Sequence, residues 1–538
     1  MKIIALFLNV LFSIFNIVYI FTLNLKSNMN FISTNYFSKT SLLICTLLFL
    51  SISTRSQNSS PEVEKAISKA KFNIEVNDCR GALAILEEHY KKDTNDVNLN
   101  YQMGICYFNL HEYEKAEKHF NQSATSVSLE LFRYKAATAH ANSKFKKATN
   151  FYNGYKLIAG EKELSNDDIT RYINQISYAE LVLKNKRNIA VENLGSAINS
   201  EFDDCAPLIN ADASLFLFSS NKENYTHNIF QISKFNKANT TISKLNNSIN
   251  TSQQELAAGM SADGQTLFFQ RNNKFLIAGN LQVAQMGLEE WEAPNELPAE
   301  IKSAFNETSA SITIDNSTIY FSSNRPGGYG GKDIYKATRL PNGSWGKAQN
   351  LGPIINTQFD EDYPFIFSDG KTLYFSSKGH QNMGGFDLFV ATASNESWSN
   401  PENLGTPINS VRDEFSIVLA ADGRNAFFSS TREGGLGGID LYKAFINDPP
   451  TNLTVLKGIG YDKSSNKSIA VKATLMEDNK AIVGVYNAKQ STGEFVMIVA
   501  PEKNYSILVE AEGYHPIAEN IDFNIKNQQP IVFLLDKK

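Results

Sequence analysis

The sequence is poor in cysteine and histidine, with 4 Cys and 7 His among 538 residues. Cys45 falls in an apolar N-terminal run, so Cys79, Cys106 and Cys205 remain for the rest of the chain. An odd number of cysteines argues against a disulfide framework, and three are too few for a structural zinc cluster. We interpret all three as buried thiols that pack as small apolar groups. A bond between Cys79 and Cys106 is the alternative.

Motifs that carry catalysis are also missing. The sequence has no Gly-x-Ser-x-Gly nucleophile elbow. His111 and Glu112 are not followed by a second histidine at the zinc-protease spacing, and we expect His111 and His119 to be solvated on a helix surface. The Gly-rich loops 325–331 and 433–438 look like phosphate cradles, but no Lys-Ser/Thr pair supports this, which favours tight turns with positive φ. We therefore expect no enzyme, no cofactor and no metal.

Strongly basic segments are absent as well. The chain has 51 Lys and Arg against 56 Asp and Glu, a formal net charge of -5 at pH 7, so nucleic acid is not an expected partner. Hydrophobic residues make up 42% and charged residues 20%, which argues against bulk disorder. The length predicts three or four domains.

The N-terminal region, residues 1–57, is predicted to be a signal or targeting segment. Apolar stretches cover residues 3–25 and 42–52. Lys39 precedes the second stretch and small residues follow it, which is typical of a secretory signal. We take Met29 as the true start, with an N-terminal membrane anchor as the alternative. Lipidation of Cys45 is not expected because Ile44 precedes it. The protein is therefore predicted to be exported, to the periplasm or the outer membrane.

Residues 60–187 carry a period near 34. Small residues recur where two helices would cross, and an aromatic residue or leucine follows four positions later. These pairs are Ala82 and Leu86, Ala116 and Phe120, and Ala148 and Tyr152; the close-packing positions of the first helices are Ala70, Gly104 and Ala136. The pattern resembles the tetratricopeptide repeat (TPR), which implies an α-solenoid whose concave surface binds partners. A spacer domain is the alternative. Residues 165–185 are predicted to form a helix that seals the stack.

Residues 188–447 carry five copies of one unit. An apolar strand, which ends in a Ser pair in every copy but the second, recurs at steps of 51, 52, 54 and 53 residues; the strands lie at 217–220, 268–269, 320–323, 374–377 and 427–430. Trp291, Trp345 and Trp398 keep the same step. The unit resembles the WD40-like repeat of TolB-type β-propellers. We expect five blades, the last one closed by a strand at 189–195, with six blades as the alternative.

An acidic residue recurs at one position of every copy. The five residues are Asp204, Glu255, Glu307, Glu361 and Glu414, and a second series is Asp333, Asp387 and Asp440. One interpretation is a ring of carboxylates around the mouth, a candidate site for a partner, a cation or another ligand. The interpretation that we favour is structural: each carboxylate accepts hydrogen bonds in a tight turn, and it recurs because the blade recurs.

Residues 450–538 follow a linker, Asp448-Pro449-Pro450, and contain segments of alternating polarity at 453–461, 469–476, 494–499, 505–511 and 531–535. The turn Thr492-Gly493-Glu494-Phe495 and the later Gly513-Tyr514 resemble the carboxypeptidase-regulatory-like domain, which implies a transthyretin-like β-sandwich. The predicted fold class is thus multidomain, α followed by all-β.

This order of parts resembles PorE-type OmpA-family envelope proteins of Bacteroidota. The resemblance implies a non-catalytic scaffold for type IX secretion, gliding or outer-membrane organisation, which binds envelope proteins through the TPR groove and the propeller faces. That family usually carries a C-terminal OmpA-like domain, and here the sandwich runs to Lys538, so direct peptidoglycan binding is not expected. The alternatives are a propeller that senses a cation, cell-wall or glycan fragments, and a cryptic glycosidase whose carboxylates face each other across the ring.

Overall fold

The computed structural model describes residues 59–123, 128–159, 166–235, 241–272, 280–394, 397–478, 481–501, 503–521 and 530–538. The predicted signal region, including Met29 and Cys45, lies outside the described residues. Within the described part, seven helices precede a long series of antiparallel sheets, which confirms a helical part followed by an all-β, propeller-like part. None of the described helices is both long and apolar enough to cross a bilayer.

The helices form successive pairs. Their bounds are α1 (Pro61–Glu75), α2 (Cys79–Tyr90), α3 (Val97–Asn109), α4 (Tyr113–Gln122), α5 (Leu129–Ala141), α6 (Phe145–Ala159) and α7 (Asn166–Lys184). Asp78, Asp96 and Ser128 cap α2, α3 and α5 by accepting backbone N–H groups of the first turn. A Cβ at Gly104 of α3 would lie 2.6 Å from the Phe120 ring of α4, so this crossing requires glycine.

The sheets after the helices share one plan of antiparallel strands in chain order: sheets 1 to 3 have four strands each, sheet 4 has five, and sheet 5 has three and is joined by the strand that precedes sheet 1. After β1 (Ala190–Asn193), sheet 1 contains β2 (Asp204–Ile209), β3 (Leu215–Glu223), β4 (Thr226–Ser233) and β5 (Thr241–Lys244). Sheet 2 contains β6 (Gln254–Met260), β7 (Thr266–Asn272), β8 (Asn280–Gln285) and β9 (Asn295–Glu296), and sheet 3 contains β10 (Glu307–Ile312), β11 (Thr318–Ser323), β12 (Asp333–Thr338) and β13 (Gln349–Asn350). Sheet 4 contains β14 (Glu361–Ile366), β15 (Thr372–Ser377), β16 (Asp387–Ser394), β17 (Ser397–Trp398) and β18 (Glu402–Asn403), and sheet 5 contains β19 (Glu414–Leu419), β20 (Asn425–Ser430) and β21 (Asp440–Phe445).

The first strands of the five sheets surround one axis. β2 contacts β6, β6 contacts β10, β10 contacts β14, β14 contacts β19, and β19 contacts β2 again. The predicted closing strand is confirmed, because β1 pairs with β21 from Ala190 opposite Phe445 to Asn193 opposite Tyr442. The outer edge of sheet 5 is thereby covered by a strand from the start of the ring.

The side chains of the repeated sequence motifs form hydrogen bonds within the sheets and between neighbouring sheets. The first serine of the pair reaches the next first strand: the backbone N–H groups of Ala257 and Ala206 donate to Ser219 Oγ and Ser429 Oγ at 2.8 and 2.9 Å. An Asn-Leu-Gly tripeptide recurs at 193–195, 350–352 and 403–405, and its asparagine donates to the aspartate after a Gly-rich loop. These bonds are Asn193 to Asp440, Asn350 to Asp333 and Asn403 to Asp387, at 2.9, 2.7 and 2.7 Å.

The C-terminal part consists of two small sheets that share one core. One sheet contains β22 (Thr454–Asp462), β25 (Glu494–Val499) and β28 (Ile531–Leu535), and the other β23 (Lys472–Glu477), β24 (Ile482–Asn487), β26 (Tyr505–Glu510) and β27 (Ile517–Ile521). The sequence did not predict β24 and β27. Gly484 interrupts the alternation of β24, and β27 leaves three consecutive residues exposed, so neither carries a clear period of two.

The packing at Gly259 leads to a first prediction. A Cβ at this position of β6 would lie 1.9 Å from the carbonyl oxygen of Ala310 in β10. Gly259→Ala therefore forces two neighbouring first strands apart, and we expect the free energy of unfolding to fall by about 2 kcal/mol in urea titrations. Gly343→Ala is the control, because nothing lies within 4 Å of its Cβ position and only its φ of +84° opposes the change. Equal losses in the two variants would contradict this packing.

Candidate interaction surfaces

The five repeated carboxylates lie at the start of the first strands, at one end of the ring, and all are buried. Each accepts a hydrogen bond from a hydroxyl group four residues earlier. The donors are Ser200, Thr251, Ser303, Thr357 and Ser410, for Asp204, Glu255, Glu307, Glu361 and Glu414 respectively. The second serine of the pair also donates in sheets 3, 4 and 5. The structure therefore brings all five residues to one end of the ring, where each accepts hydrogen bonds from its own part of the chain. Ligand binding by these residues stays a prediction.

The environments of these carboxylates differ in charge. Arginine guanidinium groups lie beside Glu307 and Glu414, at 2.9 Å from Arg325 and 3.3 Å from Arg432. Glu361 has Gly379 at the corresponding place. Burial raises the pKa of Glu361 to about 7, although its hydroxyl and amide donors pull the pKa down. Among the five residues, Glu361 is thus a carboxyl group that titrates near neutral pH.

The Gly-rich loops bind their own carboxylates. In the loop before β12, the N–H groups of Tyr329 and Gly330 donate to Asp333 at 2.6 and 2.9 Å. The loops before β16 and β21 repeat this arrangement around Asp387 and Asp440. Amide groups occupied in this way are not open to a phosphate group. The glycines permit the turns, since Gly327 and Gly434 have φ values of +91° and +85°.

The axis of the ring is narrow, and its far end is covered. A cavity of about 20 Å³ lies among the five first strands. At the end where these strands finish, the C-terminal sheets pack on the hairpins and share a core with Ala211 and Ala421. The Val485 N–H group donates to the carbonyl of Ile314 at 2.8 Å. A drug-sized ligand needs a pocket of roughly 300–1,000 Å³, so this cavity has no room for one.

The helices cover part of the opposite end. Arg412, in the turn before β19, is almost fully buried between the two parts. It donates to the carbonyls of Ala141 and Thr431 at 3.0 and 3.1 Å and to the Glu114 carboxylate at 2.7 Å. Its guanidinium carbon lies 4.9 Å from the centre of the Tyr113 ring. The sequence did not single out Arg412; its position two residues before a repeated carboxylate was the available signal.

A cavity of about 610 Å³ remains between α5, α7 and the loops of sheets 4 and 5. His140 borders it, and its Nε2 lies 3.0 Å from the Met383 carbonyl oxygen. Burial lowers the pKa of His140 to about 4, so this ring is neutral at physiological pH. Arg171 lies on the other side, with its guanidinium carbon 4.1 Å from the centre of the Phe359 ring.

A second groove lies on the helices alone, with a volume of about 550 Å³. Its walls come mainly from the first helix of each pair. Its lining residues are Glu64, Ile67, Ser68, Lys71, Val97, Asn98, Tyr101, Gln102, Ser123, Ser128 and Glu130. Gln102 is buried, and Tyr101 donates to Glu130 across the groove at 3.2 Å. Side-chain amides and hydroxyls of this kind form hydrogen bonds with a peptide backbone.

The prediction that His119 is solvated was wrong. The side chain is buried on the inner face of α4, and its ring stacks on Tyr107 at 5.2 Å between centroids. Its Nδ1 lies 2.8 Å from Asn100 Oδ1, and burial lowers its pKa to about 4. His111 lies at a turn with Nδ1 4.0 Å from Asp413 of the ring, so it faces the other part of the chain rather than open solvent.

Metal-binding clusters and disulfides are absent from the described part of the chain. No group of three or more His, Cys, Asp and Glu side chains there is arranged to hold a metal ion. Cys79, Cys106 and Cys205 are buried free thiols. Cys79 and Cys106 belong to the same helical core, where they pack as apolar groups.

No protein-family model matches the chain, and no curated protein matches it. It is similar in structure to a protein assigned as TolB from Agrobacterium tumefaciens, at 13% identity and a TM-score of 0.30, over 58% of this chain and 96% of that one. It is also similar to an endo-arabinase from Bacteroides thetaiotaomicron VPI-5482, at 15% identity and a TM-score of 0.33, over 46% and 95%. A thermostable family-43 glycoside hydrolase gives 13% identity and a TM-score of 0.33, over 48% and 92%. At identities and scores this low, the three structures say nothing about the activity of this chain.

Proposed function

We propose that this protein is an exported, non-catalytic scaffold of the bacterial cell envelope. In this proposal, the helices form a TPR-like solenoid, the ring is a five-bladed WD40-like propeller, and the C-terminal sheets form a carboxypeptidase-regulatory-like sandwich. Its partners in this proposal are proteins of type IX secretion, gliding or outer-membrane organisation, as the resemblance of the sequence to envelope proteins of Bacteroidota implies. It binds these partners in the helical groove and on the propeller faces.

The observation that carries this proposal is the contrast between the axis of the ring and the helical groove. The cavity among the five first strands has a volume of about 20 Å³, whereas the groove on the helices has a volume of about 550 Å³. The five repeated carboxylates are buried in hydrogen bonds within the sheets, so these five residues do not offer an exposed pair of acids for glycoside hydrolysis across the axis. These features of the ring favour a role as a binding platform for other proteins over a role as an active site.

The experiment is photocrosslinking in living cells from two positions on α1. Lys71 lines the groove, whereas Lys69 is exposed two residues earlier and does not. A photoreactive residue at 71 is expected to capture OmpA-like, secretion or gliding proteins that the same residue at 69 does not capture. Mass spectrometry identifies the captured proteins.

A charge variant provides the second arm. Lys71→Glu adds a third acid to a groove that already has Glu64 and Glu130, so co-purification of the captured partner is expected to fall by about tenfold, while Lys69→Glu leaves it unchanged. Recovery of the protein alone, or only with glycans, would reject the scaffold and favour ligand sensing.

A further inference from the structure

The residue two places before the repeated carboxylate lies in the turn that leads into the first strand of each sheet. In sheets 1, 4 and 5 this position makes a cation–π contact with the helical part. The contacts are Arg80 over Phe202 at 5.7 Å, Arg171 over Phe359 at 4.1 Å, and Arg412 over Tyr113 at 4.9 Å. The same place in the repeat is thus used three times to fasten helices to the ring.

Sheet 3 carries the same feature without a partner. Phe305 stands two residues before Glu307, and its side chain is 43% exposed. Phe202 and Phe359, which have arginines over them, are only partly exposed. Among the described residues, no cation or aromatic ring contacts Phe305. Sheet 2 has Gln253 at this position, so Phe305 is the one further aromatic residue of the series.

The helices meet the sheets in a regular order. The first pair reaches sheet 1 through Arg80 of α2, and the second reaches sheet 5 through Tyr113 of α4. The third pair reaches sheet 4 through His140 of α5, whose Nε2 lies 3.0 Å from the Met383 carbonyl oxygen, and α7 reaches it through Gln175, which donates to the carbonyl of Gly384. The contacts therefore pass from sheet 1 to sheet 5 to sheet 4. Sheet 3 comes next around the ring.

We propose that Phe305 is the docking point of a partner protein that carries an arginine on a helical segment. The helical segment of the partner packs on sheet 3, next to the helices that already contact sheet 4. The guanidinium group of the partner's arginine lies over the Phe305 ring. A helix is required because all three existing contacts come from helices. Arginine is required because it supplies the cation over both of the equivalent phenylalanines. This inference rests on the proposed scaffold function and adds the site and the chemistry of the partner.

The test uses the full tagged chain in living cells, with photoreactive p-benzoylphenylalanine in place of Phe305. The control places the same residue at Leu340, which is 47% exposed at the other end of sheet 3. Capture at 305 and not at 340 is expected, with the crosslinked peptide in a helical segment that contains an arginine within two turns. No capture, equal capture at both positions, or a crosslink to a segment without arginine would overturn the proposal.

Binding of the captured partner, purified, separates a cation–π contact from simple apolar burial. Phe305→Leu is expected to weaken affinity by roughly three- to thirtyfold, while Phe305→Trp, which keeps the aromatic face, retains it. Equal affinity of the Leu variant and the unchanged protein would overturn the proposal. If position 71 in the groove still captures partners while position 305 captures none, this inference fails and the scaffold function stands.

Discussion

Arg412→Ala is expected to lower the free energy of unfolding by about 3 kcal/mol and to loosen the helices from the ring. The guanidinium group donates to Ala141, Thr431 and Glu114 and lies over Tyr113, and its side chain is only 6% exposed. Removal leaves two buried carbonyls without donors, and each hydrogen bond from a charged group contributes roughly 1.5–3 kcal/mol. Thermal unfolding measures the loss, and hydrogen exchange in α4 and α5 reports the loosening.

Arg339→Ala is the matched control for this prediction. Arg339 also donates to two carbonyls, those of Asn316 and Gly343, and its guanidinium lies 4.3 Å from the centre of the Trp345 ring. The side chain is exposed, so water replaces its hydrogen bonds, and a loss below about 1 kcal/mol is expected. If the two variants lose equal stability, or if exchange in α4 and α5 does not change in Arg412→Ala, then Arg412 does not hold the two parts together.

The second large effect concerns pH. The pKa of Glu361 is about 7 in the folded protein, against about 4.5 for an ordinary glutamate, because burial disfavours the charged carboxylate. The folded state thus binds this proton more tightly than the unfolded state. Stability from Glu361 is therefore full below about pH 4.5 and is lost as the pH rises to about 7. The shift corresponds to about 3 kcal/mol between these limits.

Glu361→Gln removes this titration. Relative to the unchanged protein, the variant is expected to gain about 3 kcal/mol of stability between pH 5 and pH 8, measured by urea unfolding at each pH. Glu414→Gln is the control, since it leaves the guanidinium of Arg432 without its carboxylate and is expected to destabilise the fold at every pH in this range. A difference between Glu361→Gln and the unchanged protein that does not vary with pH would refute the assignment.

Much of the fold was predictable because its signals are local. The Ser pair, the Asn-Leu-Gly turn and the Gly-rich loop recur since each makes the same hydrogen bond within a sheet or to the next one. The strand at 190–193 was predictable because the last copy of the repeat lacks its closing strand, and the segment before the first copy supplies one. β24 and β27 were missed because burial in a small sandwich left them without a regular alternation.

The sequence by itself determined the order of the parts, the period of the helices and the repeats of the ring, since neighbouring residues decide these features. The tertiary structure alone decided which surfaces remain open. Arg412 meets Ala141 across 271 positions of the chain, and His119 is buried by rings of two neighbouring helices, Tyr90 and Tyr107. The axis is covered by strands that follow the ring in the sequence. Such contacts join segments that are far apart in the sequence and depend on how their surfaces fit together, so a periodic sequence pattern does not predict them.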